Sequence, residues 1–124
     1  MADVDLPVLS FDQRQALRDW LLTNYTTSAG IFVRIFKKHS GVASVTFEDV
    51  LDEGLCFGWS ESLRLRADEA SYLQKFTPRR TRGTVSVRNQ RHVERLIHEG
   101  RMTPAGLEAL NVRAGSARRS RTAP

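Results

Sequence analysis

Gly30-Ile31-Phe32-Val33-Arg34-Ile35-Phe36-Lys37-Lys38 is the stretch that decides the fold class. Five of its residues are β-branched or aromatic, and its length suits a β-strand. Alternation puts Ile31, Val33 and Ile35 on one face and Phe32, Arg34 and Phe36 on the other. Both faces are apolar enough to need cover, so the strand is expected at the centre of a sheet.

Upstream, Thr26 to Gly30 breaks the pattern. Before it, Ala16, Leu17, Trp20, Leu21 and Asn24 recur at helical spacing, which predicts a helix over about 11–24. Ser10-Phe11-Asp12-Gln13 reads as a capping box at its start, with the Ser10 hydroxyl meeting the Gln13 amide. Residues 1–9 are expected to form a flexible lead-in.

Downstream, His39-Ser40-Gly41 turns the chain. Thr46 suits an N-cap, with Glu48 and Asp49 in the first turn of a second helix. Phe47, Val50, Leu51, Gly54, Leu55 and Gly58 form its apolar stripe; Glu48, Asp49, Asp52 and Glu53 form an acidic opposite side. Gly54 and Gly58 suit close helix packing and a C-cap. Ser62-Leu63-Arg64-Leu65-Arg66 alternates as a half-buried strand does. Residues 71–77 read as its returning hairpin partner, stopped by Pro78. Ser86 is the expected cap of a third helix with Val93, Leu96, Ile97 and Gly100 as its stripe. Thr103-Pro104 opens a fourth, with Leu107 and Leu110 as core contacts. Residues 113–124 hold Ala, Gly, Ser and Arg and little to bury, so a disordered basic tail is expected. The order α-β-α-β-β-α-α predicts one α+β domain over 10–112: a small antiparallel sheet packed against about four helices.

The 124 residues carry 19 Lys and Arg against 14 Asp and Glu. That net charge hides an asymmetry: residues 1–70 hold 7 basic and 11 acidic side chains, residues 71–124 hold 12 and 3. Such a split points to a polyanion or to an acidic surface of the same or another chain. The single cysteine, Cys56, excludes an intramolecular disulfide and a multi-cysteine zinc cage. No apolar run approaches the ~20 residues a bilayer span needs. With an acidic start in place of a basic, then apolar, leader, a cytoplasmic location is expected.

Cys56 lies in an apolar context near a helix C-terminus, which disfavours a thiolate. His39, His92 and His98 are not at metal-ligand spacing, and no nucleophile elbow, P-loop or dinucleotide fingerprint occurs. No catalytic residue, metal site or cofactor is expected. Trp59 and Glu61, where the second helix ends, suggest a pocket with Tyr72 and Arg79 as further lining; a core Trp and a solvated Glu are the alternative. Lys75, Arg79, Arg80, Arg82, Arg88, Arg91 and Arg95 suggest an anion or nucleic-acid patch, against the alternative of a solvated face opposite the acidic helix.

Several runs together carry a resemblance: Thr46 through Trp59, Tyr72 through Arg80, and Leu96-Ile97-His98-Glu99-Gly100-Arg101-Met102-Thr103-Pro104-Ala105-Gly106-Leu107. With Phe11 to Leu21 and the Phe36-Lys37-Lys38 strand end, they make residues 10–112 resemble the YdeI/OmpD-associated, or bacteriocin-protection, family. The resemblance implies a YjbR/CyaY-like α+β fold and a part in tolerance of cationic peptides, antibiotics and envelope stress. It does not imply a molecular activity. The chain departs from the family pattern at Ser60-Glu61, in place of Ile-Asp, and at Gly83-Thr84-Val85-Ser86, in place of Ser-x-Trp-Ser. The expectation is therefore a non-enzymatic binding or stress-protection protein for a small molecule or peptide. A nucleic-acid-binding module using residues 75–95 is the alternative. An enzyme would have to use Cys56, or Glu61 with an arginine, and no spacing supports either.

Overall fold

The Ile31–Phe36 segment is an interior strand of a four-stranded sheet, as its two apolar faces require. In the computed structural model, residues 6–79 and 87–110 are described, the side chains of residues 87 and 88 excepted. The chain runs β1 (Val8–Ser10), α1 (Arg14–Asn24), β2 (Ile31–Phe36), a 3-10 turn (Lys38–Ser40), α2 (Phe47–Phe57), β3 (Trp59–Arg66), β4 (Ser71–Pro78), α3 (Val87–His98) and α4 (Pro104–Ala109). This is an α+β fold. The sheet order is β1-β2-β4-β3, with β1 parallel to β2 and the other pairs antiparallel. The sheet is therefore mixed rather than wholly antiparallel.

The added strand is β1, which replaces part of the expected flexible lead-in. Val8, Leu9 and Ser10 pair with Phe32, Val33 and Arg34, and the Phe32 amide donates to the Pro7 carbonyl. That pairing also explains why the expected capping box does not form. Ser10 is held in extended backbone against β2, and the Phe11 carbonyl accepts from the Val45 amide. The helix begins later, at Arg14, with Gln13 as an N-cap that makes no side-chain bond.

Register puts Ile31, Val33 and Ile35 level with Phe76, Gln74 and Tyr72, on one face. Trp59 joins them from β3, and this face is buried against Leu17 and Leu21 of α1 and Val50, Leu51 and Leu55 of α2. Val93 and Leu96 of α3 and Leu110 complete the core. Gln74 is the polar exception, only 2% exposed. The β3–β4 register slips between Glu61 and Arg64, and the Gln74 amide donates to the Leu63 carbonyl at 3.2 Å. A buried amide thus satisfies a carbonyl at the irregularity.

The second helix forms as its sequence predicts. Thr46 and Asp49 make a reciprocal capping box, and Gly58 closes the helix in the left-handed region at φ 78°. The end of α2 then receives α4. The Thr103 hydroxyl accepts from the Gly106 amide and donates to the Cys56 carbonyl, which the Thr103 amide also reaches at 3.0 Å. Gly106 is required by proximity: a Cβ there would overlap the Cys56 carbonyl oxygen. Gly106→Ala is expected to cost about 1–3 kcal/mol through this overpacking. It is read as a lower urea midpoint at unchanged slope. The Gly-Arg-Met-Thr-Pro-Ala-Gly run at 100–106 therefore does structural work against the Leu-Cys-Phe-Gly run at 55–58.

No helix among the described residues is long and apolar enough to cross a membrane.

Candidate functional site

Trp59, Glu61, Tyr72 and Arg79 do not share a pocket. Trp59 stands opposite Pro78 at one end of the β3–β4 hairpin, and Tyr72 stands opposite Arg66 at the other. Pro78 lies six residue steps along β4 from Tyr72, roughly 20 Å at strand rise. Trp59 is 2% exposed. It packs edge-on against Trp20 at 5.8 Å and tilted against Phe76 at 5.0 Å. The indole fills the core because β3 starts immediately after the α2 cap and aims it at the helices. Arg79 lies beside it through its amide, which donates to the Gly58 carbonyl. No ion pair joins Glu61 to Arg79 among the described residues.

The basic segment is divided. Arg80, Arg82 and the side chain of Arg88 lie outside the described residues. Lys75 sits on β4 opposite Phe32, and Arg91 is exposed. Arg95 is exposed but paired: its Nη2 donates to both oxygens of Asp52 at 2.9 Å, and its Nη1 reaches Glu99 at 3.4 Å.

That contact belongs to a cluster the helical pattern did not show. Asp52 and Glu53 do not form a solvated acidic face; they are 7% and 0% exposed. Glu53 accepts from Arg14 Nε at 2.6 Å, Arg18 Nη1 at 2.9 Å and Arg101 Nη2 at 3.1 Å. Arg18 also donates to the Arg101 carbonyl at 2.8 Å, and its guanidinium lies 5.1 Å from the Phe57 ring centre. Arg14 and His92 flank Asp52 at 3.6 and 3.5 Å. Burial opposes charge on Arg14, but the Glu53 hydrogen bond and the nearby carboxylate charges outweigh it and raise its pKa. The Asp52 hydrogen bond raises that of Arg95. The i, i+4 spacing of Arg14 and Arg18 is the one sequence signal that leads here. Each of the four arginines meets Asp52 or Glu53 and so ties α2 to α1, α3 or the α3–α4 link, although Arg14 Nη2 and Arg101 Nε are buried without a partner; the cluster reads as a structural hub.

Cys56 is buried beside this hub. Burial, then the Glu53 charge, pushes its thiol up to about 11, from an ordinary 9.0. The native protein is therefore expected to resist iodoacetamide until it unfolds. The raised folded value also sets a sign. The thiol contributes stability that is complete below pH 9 and lost as pH rises through 11. Cys56→Ala should flatten that alkaline decline in a denaturant series.

Tyr72 belongs instead to an open groove of about 600 Å³ at the far end of the sheet, lined by Ile35, Phe36, Lys37, Lys38, Val42, Ala43, Ser44, Thr46, Phe47 and Tyr72. The β2–β4 pairing sets Tyr72 against Ile35, and the loop into α2 brings Phe47 beside them. The Arg64 guanidinium lies 4.2 Å from the Tyr72 ring centre and 5.5 Å from that of Phe47. Two of the groove's hydroxyls are tied into the fold: Ser44 accepts from the Phe36 amide and donates to the Val45 carbonyl, and Thr46 accepts from the Asp49 amide to cap α2; Tyr72 brings a third. Among the described residues no group of three or more His, Cys, Asp or Glu is placed to hold a metal.

A family model described as "Domain of unknown function (DUF8412)" matches residues 9–109, and the chain belongs to that family. No curated protein and no solved structure matches the chain.

Proposed function

We propose that this protein is a small binding protein that holds a ligand rather than transforming it, and that the groove between the end of β2, the start of α2 and the start of β4 is its ligand site. The observation that carries the reading is the groove itself. Three rings, Phe36, Phe47 and Tyr72, line it with Ile35 and Val42 around a volume of about 600 Å³. Ligand sites are mostly apolar concavities of roughly 300–1,000 Å³ with a few polar groups. The likeness to the YdeI/OmpD-associated family supports a role in stress protection, with binding as the means of tolerance. A reducing, cytoplasmic setting fits the free buried thiol. Nucleic-acid binding by residues 75–95 is less well supported, because Arg95 is already held by Asp52.

A fragment library screened by amide chemical-shift mapping tests the site. Binders are expected to move the amides of Phe36, Ser44, Phe47 and Tyr72. Tyr72→Ala is expected to weaken such a binder about tenfold, the order of one well-packed ring contact. If no fragment moves these amides, or if binders collect elsewhere, the groove is not the site.

A further inference from the structure

We infer that the groove selects ligands that join a flat apolar ring to an anionic group, and disfavours cationic ones. This rests on the groove being the binding site, and it concerns which ligand enters. The charged residues lining it are Lys37 and Lys38, both exposed. Neither lysine forms an ion pair with another described residue. Arg64 does not line the groove but lies over two of its rings, Tyr72 and Phe47. The neighbouring acids do not offset this evenly. Asp68 is paired with Arg34, whereas Asp49 accepts from the neutral Thr46 amide and keeps its charge, outside the lining. Glu48 of α2 and Glu69 of the β3–β4 turn are exposed and do not line the groove.

The division of labour follows from these groups. The rings and aliphatic side chains take an apolar body. The Tyr72 hydroxyl can add a neutral hydrogen bond, and Lys37 and Lys38 supply the lining's charged donors for a carboxylate, phosphate or sulfonate. Such charge-assisted bonds are stronger than neutral ones. The same charges repel a cationic peptide, so stress protection through this groove would act on an anionic compound.

The test compares 2-naphthoate, 2-naphthylmethanol and 2-naphthylmethylamine by amide shift mapping and titration at low salt. The three share one ring system and differ in charge. Naphthoate is expected to bind in the groove at least tenfold more tightly than the alcohol, with the amine weakest. The Lys37→Ala, Lys38→Ala double variant, altered only at exposed positions, should erase the difference between acid and alcohol. Adenosine monophosphate in the same assay distinguishes a nucleotide from an aryl acid as the source of ring and anion, and tighter binding of either supports the inference. Equal binding of acid and alcohol in the groove overturns the charge preference and leaves the site standing. No shift in the groove with any of the probes overturns the inference, and the fragment screen then decides whether the site falls with it.

Discussion

Glu53→Ala is expected to lower the unfolding free energy by about 3–5 kcal/mol, the range for breaking a buried ion pair by removing one partner. The residue is fully buried, and three guanidiniums converge on its two oxygens. Removing the carboxylate leaves Arg14, Arg18 and Arg101 close together with their common counter-charge gone. Mutual repulsion and lost hydrogen bonds then add to the cavity. A domain of this size has about 5–15 kcal/mol in total, so the change consumes a large fraction of it. Urea unfolding should show a much lower midpoint at an unchanged slope. Arg101→Met should cost less, because Glu53 keeps two partners, and the double variant should cost less than the sum of the singles. Additive costs, or a loss below about 1 kcal/mol for Glu53→Ala, would reduce the cluster to a surface arrangement.

The sequence legibility of this fold follows the range of the forces involved. The second helix is readable because its signals are local: Thr46 and Asp49 cap each other, and Gly58 supplies the left-handed turn. The fourth is readable for the same reason, through Thr103 and Pro104. Strand β1 is not. Val8, Leu9 and Ser10 are too few to show a period, and their extended state comes from pairing with β2. The acidic face of α2 misleads because charge alone does not tell water from arginine. Asp52 and Glu53 look solvated until α1 and the Arg101 link are brought over them. The groove is invisible for a related reason. Phe36, Phe47 and Tyr72 come from three separate segments, and only the β2–β4 pairing and the turn into α2 assemble them.

The motif runs behind the family likeness acquire a physical meaning from the same contacts. The 100–106 run caps α4 and seats it on the Cys56 carbonyl. The 46–59 run caps α2 at both ends and delivers Trp59 to the core. These residues specify a fold. Two chains that share them share packing requirements, which is a weaker statement than sharing a ligand. The groove lining overlaps these runs at Phe36, Lys37, Lys38, Phe47 and Tyr72 but also uses Val42 and Ala43 outside them, and the chemistry there has to be tested directly.

Trp59→Ala is expected to cost about 3–5 kcal/mol, the usual range for truncating a large buried aromatic. Its indole meets Trp20 and Phe76 at centroid distances of 5.8 and 5.0 Å, so the truncation removes two ring contacts along with buried area. Backbone near Gly54 has no slack to close the cavity, since a Cβ there would already stand 2.9 Å from Phe76 and 3.0 Å from the Trp59 carbonyl oxygen. Trp59→Phe keeps a ring in the same slot and should cost about half as much or less. The pair of variants separates a core tryptophan from a ligand-binding one. If the indole serves packing, Trp59→Phe lowers stability and leaves the affinity of a groove ligand within about twofold, because Tyr72 lies roughly 20 Å along the hairpin. If Trp59→Phe abolished ligand binding while thermal stability held, Trp59 would return as a binding residue and the groove would lose its claim. The chain's only other tryptophan, Trp20, is in direct contact with Trp59, so emission reports on the helical side of the sheet. Ligand at the groove is therefore expected to shift the amides of Phe47 and Tyr72 while leaving tryptophan emission nearly unchanged.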